Sequence, residues 1–318
     1  MALCFVPKSG KKSVYGLQHG RLHLDTNVPM WMNMGYWKND APRPKSLAAA
    51  CRDLLNLVLT EAGILDGADS KISRCLIDVG FGCGEQTIHL MSEKPVRPSD
   101  KMWWDEEHQS ALFDQYIGIT RDEGQCRYAQ ERVDELKKDN VNLFCADASR
   151  PDIWGKQLLT SINTAGAKSN ENWLLALDTA YHFSPSRWVL IKYAYRSFGT
   201  SFMAFDLCLS PHATMLQKLI LRVLTTLMGA PWMNFVTPEG YRQKLVEIGY
   251  ADDDIKITDI SEDVFAPLAE YMDDQHRRLK LLGLGLGNFQ AAKWLFGWWG
   301  STGVIRGVVV VAKRVGDQ

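Results

Sequence analysis

The chain has no run of about 20 uninterrupted apolar residues, the length a helix needs to cross a bilayer. Its two most apolar stretches are both broken. Residues 214–236 carry Lys218 and Arg222, and residues 282–300 are glycine-rich and interrupted by Lys293. No cysteine pairing pattern is present either: Cys4, Cys51, Cys75, Cys83, Cys126, Cys145 and Cys208 form no CxxC and no metal-like spacing. Such an odd, scattered set predicts a reducing compartment and no metal site. Charge of one sign is missing too. The formal net charge is -1, and with no dominant basic stripe there is no electrostatic case for a nucleic-acid partner. The opening "MALCFVPKSGKKSVYG" lacks the charged start, apolar core and cleavage site of a signal peptide, so the expected location is the cytosol. Internal repeats and low-complexity linkers are absent.

What is present is ordinary globular composition, 46% apolar and 23% charged over 318 residues, enough for one large domain with a sizeable cap. Residues 1–45 read as irregular, punctuated by Pro29, Pro42 and Pro44. A helix is predicted from a Ser46 cap. The runs "CLIDVGF", "YIGIT", "VNLFCAD", "NWLLALDTAYHF", "TSFMAFDLCL", "DIKITDIS" and "GVIRGVVVVAKR" read as strands, with helices between several of them. This alternation predicts an α/β class chain: a Rossmann-like, doubly wound sheet, mostly parallel with an antiparallel final strand, plus a helical lid insertion. The expected organisation is an N-terminal segment 1–45, a core 46–211, an apolar insertion 212–236, and a remainder 237–318 carrying the last strands and a C-terminal helical insertion. Three stretches interrupt the alternation: residues 92–115, which include the acidic "WWDEEHQ", the stretch "KQLLTSINTAGAKSNEN", and residues 212–235.

The first strand runs into Gly80, Gly82 and Gly84. Glycine after a strand signals close backbone approach or left-handed backbone. A dinucleotide fingerprint would need GxGxxG and an acidic residue about 20 positions on, at the end of the second strand. The spacing here is GxGxG, Glu85 stands where the third glycine belongs, and the second strand ends "GIT" at Thr120. Both departures exclude NAD, and no GK[ST] follows to make a phosphate loop.

"LIDVGFGCGEQT", "YIGITRDEGQ", "FCADAS" and "MNMGYW" occur at matching spacing. In these four motifs the chain resembles the class I S-adenosylmethionine-dependent methyltransferases, in the small-molecule and lipid branch of the tocopherol, sterol and cyclopropane fatty acid enzymes. The resemblance implies S-adenosyl-L-methionine as cofactor. It implies that Asp78, Gly80, Gly82 and Gly84 form the first cofactor motif and that Asp147 hydrogen-bonds the adenine amino group. It also implies that Tyr36 and Trp37 belong to a segment closing over the methionine end. The residue types suit those roles. Side-chain-free glycines let backbone N–H groups meet a carboxylate, with Glu85 and Gln86 opening the following helix. Thr120 and Gln125 offer neutral hydrogen bonds to ribose hydroxyls, Ala148 leaves room for the adenine ring, and Tyr36 and Trp37 are aromatic partners for a sulfonium. Loop capping by Asp147 and core packing by Tyr36 and Trp37 are the competing readings.

On the acceptor side, His182, just past the fourth strand, is the candidate general base, with Tyr181 to orient a substrate oxygen. A structural hydrogen-bonding histidine is the alternative, and His212 is a weaker candidate base. Asp178 is expected to line the cofactor pocket or tie loops. Met215, Met228, Trp232 and Met233 in the insertion suit a bulky hydrophobic acceptor of secondary metabolism, such as a terpenoid, sterol, polyketide or lipid; plain packing is the alternative. The expected activity is methyl transfer to oxygen or carbon of a hydrophobic small molecule. A cyclase or isomerase that keeps the cofactor, and a silent binding protein, are the other readings. Trp294, Trp298 and Trp299 leave peripheral membrane contact open.

Overall fold

The apolar runs form seven strands of one sheet in a computed structural model that describes residues 29–38, 44–65, 72–92, 112–287 and 289–314. They are β1 (Arg74–Val79), β2 (Gln115–Thr120), β3 (Val141–Cys145), β4 (Glu171–Leu177), β5 (Ser201–Leu209), β6 (Ile255–Asp259) and β7 (Ile305–Ala312). Their spatial order is β3-β2-β1-β4-β5-β7-β6. β1 to β5 pair in parallel, and β7 lies antiparallel between β5 and β6. The fold is the mostly parallel, doubly wound sheet with a reversed final strand that the alternation predicts. "WWDEEHQ" and the rest of residues 93–111 lie outside the described residues.

Strands covered on both faces need apolar side chains in both directions. In β4, Trp173, Leu175 and Leu177 enter one core cluster and Leu174 and Ala176 the other. In β5, Met203, Phe205, Leu207 and Leu209 face the first cluster while Phe202, Ala204 and Cys208 face the second. Helix α1 (Leu47–Glu61), capped by Ser46 Oγ accepting the Ala49 N–H at 3.2 Å, supplies the first cluster together with α2 (Glu85–Met91). Helix α3 (Glu123–Asp134) packs on α2, β2 and β3. The second face is covered by α4 (Lys156–Ala167), α5 (Arg187–Phe198) and α7 (Pro238–Ile248).

Here one expectation is corrected. "KQLLTSINTAGAKSNEN" does not interrupt the alternation, because its first part is α4, the crossover from β3 to β4. Its buried face is only Leu158, Ile162 and Ala165, a stripe too narrow to stand out among polar neighbours. The insertions after β5 and β6 lie at the carboxyl edge of the parallel strands. Helix α6 (Met215–Leu227) follows β5, while α8 (Phe265–Leu281) and α9 (Phe289–Thr302) form a hairpin between β6 and β7. No described helix is long and apolar enough to cross a membrane.

One buried ionic cluster ties these parts together. Arg187, at the start of α5, pairs through Nη1 with Asp206 of β5, and both side chains are fully buried. Asp206 also accepts from the Tyr241 hydroxyl at 3.0 Å. The Arg187 Nη2 donates to the carbonyls of Leu207 and Asn234, and the Arg187 N–H donates to Asn234 Oδ1 at 2.9 Å. Breaking such a pair leaves an uncompensated buried charge. Asp206→Ala should therefore lower stability by about 3–5 kcal/mol in denaturant unfolding. A loss below about 1 kcal/mol would put the pair on a par with surface ion pairs.

Candidate active site

The glycine loop is shaped first by its backbone. Gly80, Gly82 and Gly84 all have positive φ, at 82°, 62° and 90°, a region that side chains disfavour. Their neighbours set a second constraint. A Cβ on Gly80 would lie 2.6 Å from Thr179 Oγ1, and one on Gly84 would lie 3.0 Å from the Ala129 Cβ of α3. The missing side chains of Gly80 and Gly84 thus admit Thr179 and Ala129, and only backbone atoms remain for a ligand.

Beside this loop lies a cavity of about 440 Å³, within the range of small-molecule sites. Its walls come from the segments after β1, β2, β3 and β4, together with residues 30–33. It sits outside the carboxyl ends of the strands where the order reverses between β1 and β4, the crevice expected of open α/β sheets. Of the residues named from sequence, Gly80, Gly82, Glu85, Gln86, Thr120, Gln125, Asp147, Ala148, Asp178 and His182 line it. Thr120 Oγ1 donates to Gln125 Oε1 at 3.3 Å, so the two polar groups are already paired. Asp147 Oδ1 accepts from the Ser149 N–H at 2.9 Å and its hydroxyl at 2.7 Å. Asp147 caps its loop with Oδ1 and keeps Oδ2 without a described protein partner. His182 is held in the single 3-10 turn Ala180–His182, its ring 4.3 Å from that of Tyr181. Partial burial lowers its imidazole from the ordinary value, with nearby Asp206 opposing the shift and Arg121 adding to it.

Five named residues stand behind the lining. Asp78 is fully buried, its two oxygens accepting from Gln86 Nε2 at 2.7 Å each and Oδ2 also from the Tyr116 hydroxyl. Burial pushes its carboxyl up to about 6, against those hydrogen bonds. It acts on the cavity through Gln86, whose amide it orients. Gly84 faces α3, as above. Tyr181 is buried and donates to Asp178 Oδ1 at 3.0 Å. Tyr36 and Trp37 are not among the residues that line the cavity. The Trp37 indole donates to the Met34 carbonyl at 2.8 Å and its ring lies 4.9 Å from Tyr271, while the Tyr36 N–H donates to the Ala50 carbonyl at 2.8 Å. Trp37 is buried in the first core cluster, and Tyr36 is half-buried against it with Lys45 over its ring.

The residues that do face the cavity from that segment are Met30, Trp31, Met32 and Asn33, one turn earlier than the aromatic pair drew attention to. Two carboxylates fasten this strap. Glu85 Oε1 accepts from the Met30 N–H at 2.8 Å and from Arg132 at 2.6 Å, and Asp178 Oδ2 accepts from the Met34 N–H at 2.7 Å. Asp178, at positive φ of 58°, does both things expected of it: it lines the cavity and ties two loops. Asp122 also lines the cavity and escaped sequence reasoning. It lies two positions past Thr120, where its Oδ1 caps α3 by accepting the Gln125 N–H at 2.8 Å. The dipeptide "RD" before a helical run was its signal.

Burial pushes the Asp178 carboxyl from 3.8 up to about 7, against the hydrogen bonds from Tyr181 and Met34 and helped by the charge of Asp206. Between those values the folded chain holds a proton that the unfolded chain has lost, so this group makes stability fall as pH rises. Asn at this position stays neutral and still accepts from Met34 while donating to Tyr181. Asp178→Asn should gain thermal stability over the parent chain as pH rises from about 4 to about 7, reaching about 5 °C and then levelling off. A difference flat across that window would show that Asp178 titrates as an exposed carboxylate does.

No family model matches the chain, and no curated protein matches it in sequence. Solved structures match it over most of its length. A cyclopropane synthase from Mycobacterium tuberculosis aligns with a TM-score of 0.58 at 12% identity, covering 89% of this chain and 90% of that one. A geranyl diphosphate C-methyltransferase from Streptomyces coelicolor, solved with geranyl diphosphate and S-adenosyl-L-homocysteine, aligns at 0.54 and 16% identity, covering 95% and 100%. The cyclase SpnF aligns at 0.53 and 18%, covering 88% and 86%. The chain therefore has the class I methyltransferase fold that these proteins share, with its cavity at the carboxyl ends of the strands.

Proposed function

We propose that the chain is an S-adenosylmethionine-dependent methyltransferase acting on oxygen or carbon of a hydrophobic small molecule. The observation that carries this reading is the lining of one cavity. Left-handed backbone at Gly80 and Gly82, the Thr120–Gln125 pair, an acceptor-ready Asp147 and a His182 whose imidazole is lowered by burial converge at the switch point. Solved relatives of this fold hold S-adenosylhomocysteine or sinefungin, which supports the same ligand class here.

The residues present fit that ligand. Backbone N–H groups of the glycine loop and the start of α2 suit its carboxylate. Asp178 suits a cationic group, Thr120, Gln125 and Asp122 suit ribose hydroxyls, and Asp147 Oδ2 suits an exocyclic amine. When bound, the cofactor supplies an electrophilic methyl on a sulfonium. The protein's own contribution is to exclude water under the strap, align the acceptor and take its proton. His182, with an imidazole lowered toward the neutral form and no described partner on either ring nitrogen, accepts the proton of a hydroxyl or acidic carbon as the new bond to the methyl forms. A general base of this kind contributes about 10²–10⁴ in rate.

A second reading follows from the likeness to SpnF: the same fold can house a cyclisation. It differs from the first in leaving the methyl donor intact.

Titration calorimetry should show S-adenosylmethionine binding by the parent chain and binding about tenfold weaker or worse in Asp147→Ala, the loss expected from one buried charged hydrogen bond. Absence of heat with the parent chain would overturn the proposal. With methyl-labelled cofactor and a panel of hydrophobic acceptors, mass spectrometry should find labelled product with equimolar S-adenosylhomocysteine. Product without S-adenosylhomocysteine would favour the cyclase reading. His182→Ala should lower kcat by at least about a hundredfold, and a loss under about tenfold would reduce His182 to positioning.

A further inference from the structure

Helix α6 inverts the usual pattern of a helix on a globular surface, in which polar side chains meet water. Met215, Leu216, Leu219, Val223 and Leu227 are 79%, 67%, 61%, 54% and 78% exposed. At 3.6 residues per turn, these and Ile220 share one arc of roughly 140°. The buried side is narrow, with Leu221 and Thr225 against the core. Lys218 and Arg222 lie along one edge of the exposed arc. The turn between α8 and α9 repeats the arrangement, with Leu281, Phe289 and Trp294 exposed. Both elements stand at the carboxyl edge of the sheet, and the Ser210 N–H that leads into α6 donates to Val304, beside the end of α9, at 2.9 Å.

The charge along α6 and at the tip of the α8–α9 hairpin has one sign. The chain holds 37 acidic residues in 318, yet residues 207–238 and 275–316 contain none. What they contain near the apolar arcs is Lys218, Arg222, Arg278 and Lys280, besides Arg277 and Lys293, which pair with Asp274 and Asp273 of α8. An apolar arc edged by basic side chains is the layout of a helix lying in a membrane interface, its apolar side among the upper acyl chains and its cations at the headgroups. A second copy of the chain fits less well. A two-fold contact through α6 would set Lys218 and Arg222 against their own duplicates with no acid to offset them.

We propose that α6 and the α8–α9 turn form a docking surface for an anionic phospholipid bilayer. The surface stands on the same edge of the sheet as the cavity mouth. An acceptor dissolved in the bilayer would then enter from the docked side, a consequence that rests on the proposed function, whereas the docking does not.

The full chain, without cofactor, is sedimented with vesicles of phosphatidylcholine alone and of equal parts phosphatidylcholine and phosphatidylglycerol at low salt. The expected result is co-sedimentation with the anionic vesicles, at least about tenfold stronger than with the neutral ones. Lys218→Gln with Arg222→Gln, and separately Leu219→Ser with Val223→Ser and Leu227→Ser, should each lower that partition about tenfold. Melting temperature and S-adenosylmethionine binding should stay unchanged, since Arg222, Leu219, Val223 and Leu227 are exposed, Lys218 is half-buried with no described ion pair, and none of them lines the cavity. Three outcomes would overturn the proposal: a parent chain left in the supernatant with both vesicle types, equal partition onto both, or a parent dimer that the serine variant converts to monomer. Calorimetry on the same samples reads the cofactor site by itself, so failure of docking and failure of the proposed function remain separate results.

Discussion

The buried pairing of Arg187 with Asp206 is the constraint from which the rim of the cavity hangs. Two opposite charges without water are tolerable only if their remaining donors and acceptors are filled. Tyr241, the Leu207 carbonyl and Asn234 fill most of them here, while Arg187 Nε is left without a described partner. Asn234 in turn donates from Nδ2 to the carbonyls of Tyr181 at 3.0 Å and Phe183 at 2.9 Å. Those two residues flank His182. The imidazole is therefore placed by a chain of contacts that starts in the core, passes through the return of the α6 insertion, and ends at the cavity.

The opposite wall is held by acids of a different kind. Glu85 and Asp178 each give an oxygen to a backbone N–H of the strap, at Met30 and Met34. Both also border the space the strap covers. A group that enters the cavity and changes the charge felt by either carboxylate acts on the strap in the same event. Asp178 is the more responsive of the two, because its burial already disfavours the ionised form.

The sheet was legible because β1 to β5 and β7 are nearly continuous apolar runs flanked by turn residues, the signature of strands covered on both sides. Helix α4 was not, because Ser161, Asn163, Thr164 and Gly166 dilute its stripe. Most of the lining was legible too, since loop residues after successive strands converge wherever a parallel sheet reverses its order. What escaped depends on direction. Tyr36 and Trp37 are adjacent to the strap in sequence but do not line the cavity, and the strap's facing residues, Trp31 and Met32, carry no motif of their own. The Arg187–Asp206 pair spans an intervening helix and loop, and no local pattern announces an ion pair that tertiary packing creates.

The close approach of Gly84 to Ala129 changes how variants of the glycine loop are to be interpreted. A methyl at position 84 would press α2 away from α3 and tilt the helix that carries Glu85 and Gln86. The cavity wall that these two residues form would shift although nothing in the cavity had been touched. Loss of binding on substitution in this loop is therefore no map of ligand contacts: at position 84 it reports the spacing of two helices, at Gly80 the fit against Thr179, and at Gly82 the cavity and its strap.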